Sequence, residues 1–150
     1  MPKMIFVNLP VADLDRSVRF YEAIGGTRNP KFSNEQAAAI VFSDSIYVML
    51  LTHDFYRTFT SKQIADARSS SEVLIALSCD DKSAVDAMVD AAVAAGGKGD
   101  PGPKQDFGFM YGRSFEDPDG HHWEPHWMDP KAAEEGPPSV EAADATATSH

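Results

Sequence analysis

A single cysteine, Cys79, stands in the 150-residue chain. It excludes an internal disulfide and any multi-cysteine zinc or iron–sulfur site. No run of eighteen apolar residues occurs, so no helix able to cross a bilayer is expected. The apolar stretch after Lys3 breaks at Asn8 and Pro10, unlike a secretory leader, and a cytoplasmic location is the expectation. Positive charge is scarce: 13 Lys and Arg against 23 Asp and Glu leave −10. Such a field repels phosphate backbones and anionic lipid. It argues against nucleic acid and membrane as partners and favours a cationic small molecule. There is no GxGxxG, no Walker loop and no G-x-S-x-G, so dinucleotide, nucleotide and serine-hydrolase chemistry have no foothold.

What is present reads as an ordinary folded chain, with 43% apolar and 24% charged residues. Its length fits one domain or two small halves sharing a core. The body repeats itself. Residues 4–11 alternate as a strand; Asp13 then caps a helix with Leu14, Val18, Tyr21 and Ile24 on one face, closed by Gly25-Gly26. Residues 72–79 read as a strand again. Asp80 or Asp81 caps a helix with Val85, Met88, Val89, Ala92 and Val93 on one face, closed by Gly96-Gly97. Asp13 and Asp81 lie 68 residues apart, and the glycine pairs lie 71 apart.

Strand-like segments follow each helix: 36–42 and 45–52 after the first, 107–116 and 121–128 after the second. Short strands are expected near 26–32 and 97–100. Asp117-Pro118-Asp119-Gly120 is a strong turn, because Pro presets φ and Gly tolerates a positive one. The order is β-α-β-β-β, twice. The divisions expected are 1–52 (first unit), 53–71 (linker with a short helix), 72–128 (second unit) and 129–150 (an acidic tail). In that tail five carboxylates face Lys131 alone, and from Ala132 onward small polar residues and Pro137-Pro138 predict disorder.

The doubled unit resembles the vicinal oxygen chelate superfamily, the group of glyoxalase I, extradiol dioxygenases, fosfomycin resistance proteins and bleomycin resistance proteins. The resemblance spans about residues 4–128. It rests on Val11-x-Asp13-Leu14-x-Arg16-Ser17 leading to Phe20-Tyr21-Glu22, and on Phe115-x-Asp117-Pro118-Asp119-Gly120-His121-x-Trp123-Glu124. It implies an α+β fold of tandem βαβββ units, forming a cupped mixed sheet with helices on its outer face. It also implies a homodimer and a ligand held in the cup.

Strand parity can be set against that expectation. Ile5, Val7, Leu9 and Val11 should face the helix, leaving Phe6 and Asn8 on the cup side. Ile46, Val48 and Leu50 should face the helix, leaving Tyr47, Met49 and Leu51. Val73, Ile75, Leu77 and Cys79 should face the helix, leaving Leu74, Ala76 and Ser78. Trp123 and Trp127 should face the helix, leaving His122, Glu124, His126 and Met128.

Matched by motif, the four metal-ligand positions that the resemblance implies fall on Phe6, Met49, Leu74 and Glu124. Phe6 and Leu74 have no donor atom, and a thioether is a poor ligand for a hard cation. No cofactor is therefore expected at those positions. A divalent metal would need a relocated set: His122, Glu124 and His126 share one strand face, with neighbours about 7 Å apart at Cα.

Three readings stay open, the last being a subunit whose cup is filled by its own side chains and whose role is association. The first is a metal-free binder of an aromatic, hydrophobic or cationic small molecule, with Phe6, Tyr47, Met49, Leu74, Ala76 and Met110 as walls and Asn8 and Glu124 as polar anchors. The second is a glyoxalase- or dioxygenase-related enzyme, whether lyase, isomerase or dioxygenase. It would use the relocated metal or Glu124 as a general acid–base. Tyr111 and Arg113, by alternation, point away from the cup. Cys79 reads as an inert core thiol.

Overall fold

The computed structural model describes residues 3–137 of the chain. The first unit runs β1 (Ile5–Val11), α1 (Leu14–Ala23), β2 (Thr27–Asn29), β3 (Ala37–Val41) and β4 (Ile46–Thr52). A one-turn 3₁₀ helix, Pro30–Phe32, follows β2. A short helix, α2 (His53–Tyr56), opens the connection to the second unit. That unit runs β5 (Leu74–Ser78), α3 (Lys82–Ala94), β6 (Lys98–Gly99), β7 (Gln105–Asp106), β8 (Met110–Gly112), β9 (Phe115–Glu116) and β10 (His122–Met128).

Both long helices start where the sequence places them. The Asp13 carboxylate accepts from the Arg16 amide, and the Asp81 carboxylate from the Ala84 amide. Gly25 and Gly96 end them at φ +114° and +101°, a region that favours glycine.

The strands form two sheets with the same plan. In the first, the order is β1-β4-β3-β2, with β1 parallel to β4. In the second, β5 lies parallel to β10, and β8 and β9 both run antiparallel to β10. The strand expected over 107–116 is thus broken at Arg113-Ser114. The cause lies on its far side. β8 pairs with β7 and β9 pairs with β6, and Pro101 and Pro103 between β6 and β7 lack the amides a continuous edge strand needs.

One apolar core joins the two units. It gathers Leu9 and Val11 from β1, Phe20 and Tyr21 from α1, Val48 and Leu50 from β4, Val89 and Ala92 from α3, Phe115 from β9 and Trp123 from β10. Helix α1 therefore packs on its own sheet and also reaches the second. Phe20 meets Phe115 at 5.9 Å, and Tyr21 meets the edge of Trp123 at 5.8 Å and 62°. Val7, Ile46, Ile75 and Leu77 belong to this core or pack against it, as parity requires. Ile5 and Val73 do not: Ile5 stands at the open end of β1, Val73 lies just before β5, and both are exposed.

Polar groups pin the junction. The Tyr21 hydroxyl donates to Asp117 Oδ2 at 2.6 Å and accepts from Trp123 Nε1 at 3.0 Å. Asp117 is 3% exposed, and its other oxygen accepts from the amides of Asp119 and His121. Burial pushes the Asp117 carboxyl up, while His121, the Tyr21 hydroxyl and the His121 amide pull it back. Burial, and then the charge of Asp117, push the Tyr21 hydroxyl well above its ordinary range. Asp119 accepts from the Ala12 amide at 2.9 Å and from Ser17 Oγ at 3.3 Å. His121 Nε2–H donates to the Pro10 carbonyl at 2.8 Å. The Asp117–His121 turn of the second unit therefore clamps the β1–α1 junction of the first.

Tyr111 and Arg113 face α3. The Tyr111 hydroxyl donates to Asp86 at 2.7 Å, and Arg113 reaches Asp86 at 2.9 Å and Asp100 at 2.7 and 3.0 Å. The bonds from Tyr111 and Arg113 hold the Asp86 carboxyl below its ordinary range, and Arg113 does the same for Asp100.

Order extends past the point where composition predicts disorder. A fourth helix, α4 (Pro130–Glu135), follows β10, with Asp129 accepting from the Lys131 amide and Pro130 at its start. The Asp129 amide donates to the Phe109 carbonyl, and Ala132 is buried. Capping and this one seat order the segment; residues 138–150 of the expected tail lie outside the described residues.

Tyr21→Phe is expected to lower stability by about 2–4 kcal/mol, because it strands a buried carboxylate oxygen and an indole N–H. A melting temperature roughly 10 °C lower checks this. Arg113→Met tests the pH linkage. The folded-state pKa values of Asp86 and Asp100 are lowered, so their contribution is present above the ordinary carboxylate range and lost as pH falls through the lowered values. Urea unfolding from neutrality down to about pH 3 should show a shallower acid limb in Arg113→Met than in the parent.

Candidate functional site

Each sheet has one face on the core and one face turned outward. The named residues fall on the outward faces, in two groups. On the first sheet, Phe6 lies opposite Tyr47 and Asn8 opposite Met49. The Phe6 and Tyr47 rings stack at 4.7 Å and 13°. Phe6 is nonetheless 52% exposed. Asn8 Nδ2 donates to the Phe6 carbonyl at 3.1 Å, and the Tyr47 hydroxyl donates to the Asp44 carbonyl at 3.0 Å. Leu51, also outward by parity, is buried at the end of β4 where α2 begins.

On the second sheet, Leu74 lies opposite His122, Ala76 opposite Glu124, and Ser78 opposite His126. Leu74 is 56% exposed. His122 Nε2 and Glu124 Oε2 are 3.2 Å apart, and the Glu124 side chain is 43% exposed. A shallow cavity of about 240 Å³ is lined here by Ala76, Met110, Gly112, Glu124, His126 and Met128. Met110 thus belongs to the wall, opposite Met128.

The structure brings Phe6, Asn8, Tyr47 and Met49 together, and Leu74, His122 and Glu124 together. It leaves the two groups on separate sheets. Neither Asn8 nor Tyr47 holds Glu124, whose described polar partner is His122.

Chemically, the first group is an aromatic and thioether surface with an amide beside it. The second is a carboxylate–imidazole pair in an apolar row. The four positions matched to metal ligands present one carboxylate, one thioether and two hydrocarbon side chains, which does not suit a divalent ion. Among the described residues no three His, Cys, Asp or Glu side chains gather as a metal site requires, so His122 and Glu124 stand as a pair. His126 follows on the same face, opposite Ser78 and Gly112.

Trp127 is half-buried on the helix side, with Lys82 Nζ 5.5 Å from its ring centre. Burial and then Asp80 push the half-buried Cys79 thiol up, which makes it a poor nucleophile. Among the described residues no helix is long and apolar enough to cross a membrane.

One feature on the seam between the sheets joins Asn8 and His122 to a segment that the sequence marks only as linker. A cavity of about 390 Å³ touches Asn8 on β1 and His122 on β10, and is covered by residues 65–73 of the connection. Periodicity does not mark that segment. The one local signal is the run Arg68-Ser69-Ser70-Ser71, which reads equally well as plain loop.

A family-wide sequence profile described as Glyoxalase/Bleomycin resistance protein/Dioxygenase superfamily matches residues 3–124. No curated protein sequence matches the chain significantly. Among solved structures, a hypothetical protein from S. aureus superposes with a TM-score of 0.71 at 26% identity, over 85% of this chain and 95% of its own. A glyoxalase/bleomycin resistance protein/dioxygenase family enzyme from Burkholderia phytofirmans gives 0.70 at 19%, over 85% and 99%. A fosfomycin resistance protein from Mesorhizobium loti gives 0.64 at 16%, over 89% and 98%. The last two likenesses are of fold alone.

Proposed function

Because the chain belongs to the glyoxalase/bleomycin resistance protein/dioxygenase superfamily, we propose that it binds a small apolar or aromatic molecule in a cup completed by a second copy. The cup works without a metal at the family's positions. The observation that carries this reading is the apolar character of the outward face of each sheet. Phe6 and Leu74 occupy two of the matched ligand positions and stand half-exposed, with the Tyr47 ring stacked on Phe6. Large apolar side chains grouped on strand faces favour a ligand or a partner over open water.

In this arrangement the first sheet of one copy faces the second sheet of the other. The Phe6–Tyr47 stack supplies a flat wall, Met49 and Leu74 supply adaptable apolar contact, and Glu124 is the polar anchor. A carboxylate at the rim of an apolar wall selects for a cationic or hydrogen-bond-donating group on the ligand, in keeping with the chain's −10 charge.

A second reading has its own observation. His122 sits 3.2 Å from Glu124, a contact that orients one carboxylate oxygen and leaves the other open. Glu124 would then act as a general base or acid in an isomerase- or lyase-type reaction, with His122 as the positioning residue.

Two measurements test the first reading. Elemental analysis of untagged protein, before and after incubation with excess Ni, Zn, Mn and Fe(II), is expected to show no stoichiometric metal. Retained metal that disappears in His122→Ala or His126→Ala would overturn the metal-free cup and establish a relocated site. Titration with the neutral fluorophore N-phenyl-1-naphthylamine is expected to saturate. Phe6→Ala should weaken binding by about 1–2 kcal/mol, roughly tenfold. Unchanged binding in Phe6→Ala would sink the assignment of this wall.

A further inference from the structure

We propose that the seam between the two sheets is a second ligand site, adjoining the cup at Asn8 and His122, lined by one chain and built for a small cationic molecule that also carries hydroxyl groups. The starting point is how the seam is covered. Residues 65–73 cross it as a strap, fixed at several points. Arg68 Nη2 donates to the Pro118 carbonyl at 2.8 Å. Asp66 accepts from the Arg68 amide through its side chain, and from the Ser69 and Ser70 amides through its carbonyl. The strap backbone lies so close to Gly120, at φ +93°, that a Cβ there would stand 2.8 Å from the Arg68 nitrogen. The strap is therefore seated on the same turn that joins the two units.

Beneath it lies the cavity of about 390 Å³, within the range that holds small organic ligands. Its floor is apolar: Leu9, Val73 and Ile75. Its walls carry several acceptors, with two carboxylates against the one guanidinium of Arg68. Glu72 and Glu116 bring carboxylates. Glu116 lies 3.8 Å from Lys98 Nζ, an exposed and strongly screened partner. Tyr56, Ser70 and Ser71 bring hydroxyls to the cavity. Arg68, the one Lys or Arg among the lining residues, already donates to Pro118. His121 spends its Nε2–H on Pro10.

Two carboxylates and several hydroxyls above a hydrocarbon floor complement an ammonium group, hydroxyl groups and one apolar ring face. An amino sugar or a cyclic amino alcohol has all three. Glu124, Tyr47 and Met49 do not line this cavity, while Asn8 and His122 border both it and the outward faces of the cup.

Three sugars of similar shape and different charge test the proposal: glucosamine, glucose and glucuronate, each titrated into ¹⁵N-labelled full-length protein. Glucosamine is expected to shift the Ser70, Ser71 and Gly120 amides saturably. Glucose should bind more weakly and glucuronate should not bind. The double variant Glu72→Gln/Glu116→Gln, which removes charge and leaves the strap contacts in place, should weaken glucosamine by about tenfold or more. Equal binding of glucosamine and glucose, unchanged glucosamine binding in the double variant, or absence of saturable shifts at these amides would overturn it. Shifts confined to Glu124, His126 and Met128 would also overturn it, because they would place the amino sugar in the cup.

Discussion

A buried carboxylate holds the molecule together. Asp117 takes a hydrogen bond from the Tyr21 hydroxyl inside the core, while its other oxygen organises the turn that grips the start of α1. An ionisable group at that depth costs stability unless every acceptor is used, and here the donors come from both units. The orientation of one sheet relative to the other therefore depends on this contact. With it in place, Phe20, Tyr21, Phe115 and Trp123 pack as one aromatic cluster, and the helices share a single core. The faces opposite the helices are then left to turn outward. The candidate site is a consequence of where the junction was built.

Much of this frame is legible in the residues. Asp13 and Asp81 announce the helix starts, and the glycine pairs announce their ends. The even spacing of Val7, Leu9 and Val11, or of Val48 and Leu50, fixes which face is buried. The departures have local causes. Ile5 obeys parity but lies beyond the reach of α1. The strand at 107–116 breaks because prolines interrupt its neighbour, and pairing partners are invisible to a pattern read along one segment. Residues 130–135 form a helix through a cap and a single buried alanine, signals too small to outweigh the polar composition around them.

The candidate site is legible in a different way. Residue identity alone shows that Phe6, Met49 and Leu74 cannot act as the donors their positions would require, and parity alone puts them on one kind of face. Neither shows whether Glu124 shares a cup with Phe6 within one chain. Alternation reports the side of a strand and not which sheet stands opposite. The strap was hidden for a related reason. Its role depends on Gly120 and Pro118, about fifty residues away, and Ser69-Ser70-Ser71 carries no periodicity that would expose that contact.

The separation of core face and outward face has an evolutionary consequence. Tyr21, Asp117 and Trp123 are constrained together, since the Tyr21 hydroxyl is the shared partner of the other two. Phe6 and Leu74 are under no such constraint, because they are half in water already. Exchanging exposed side chains typically alters stability by only about half a kcal/mol. Recognition residues on this scaffold can therefore drift, be lost and be reinvented with little damage to foldability. A lineage carrying it could abandon one chemistry and acquire another through a few tolerated substitutions, with the frame as its heritable constant.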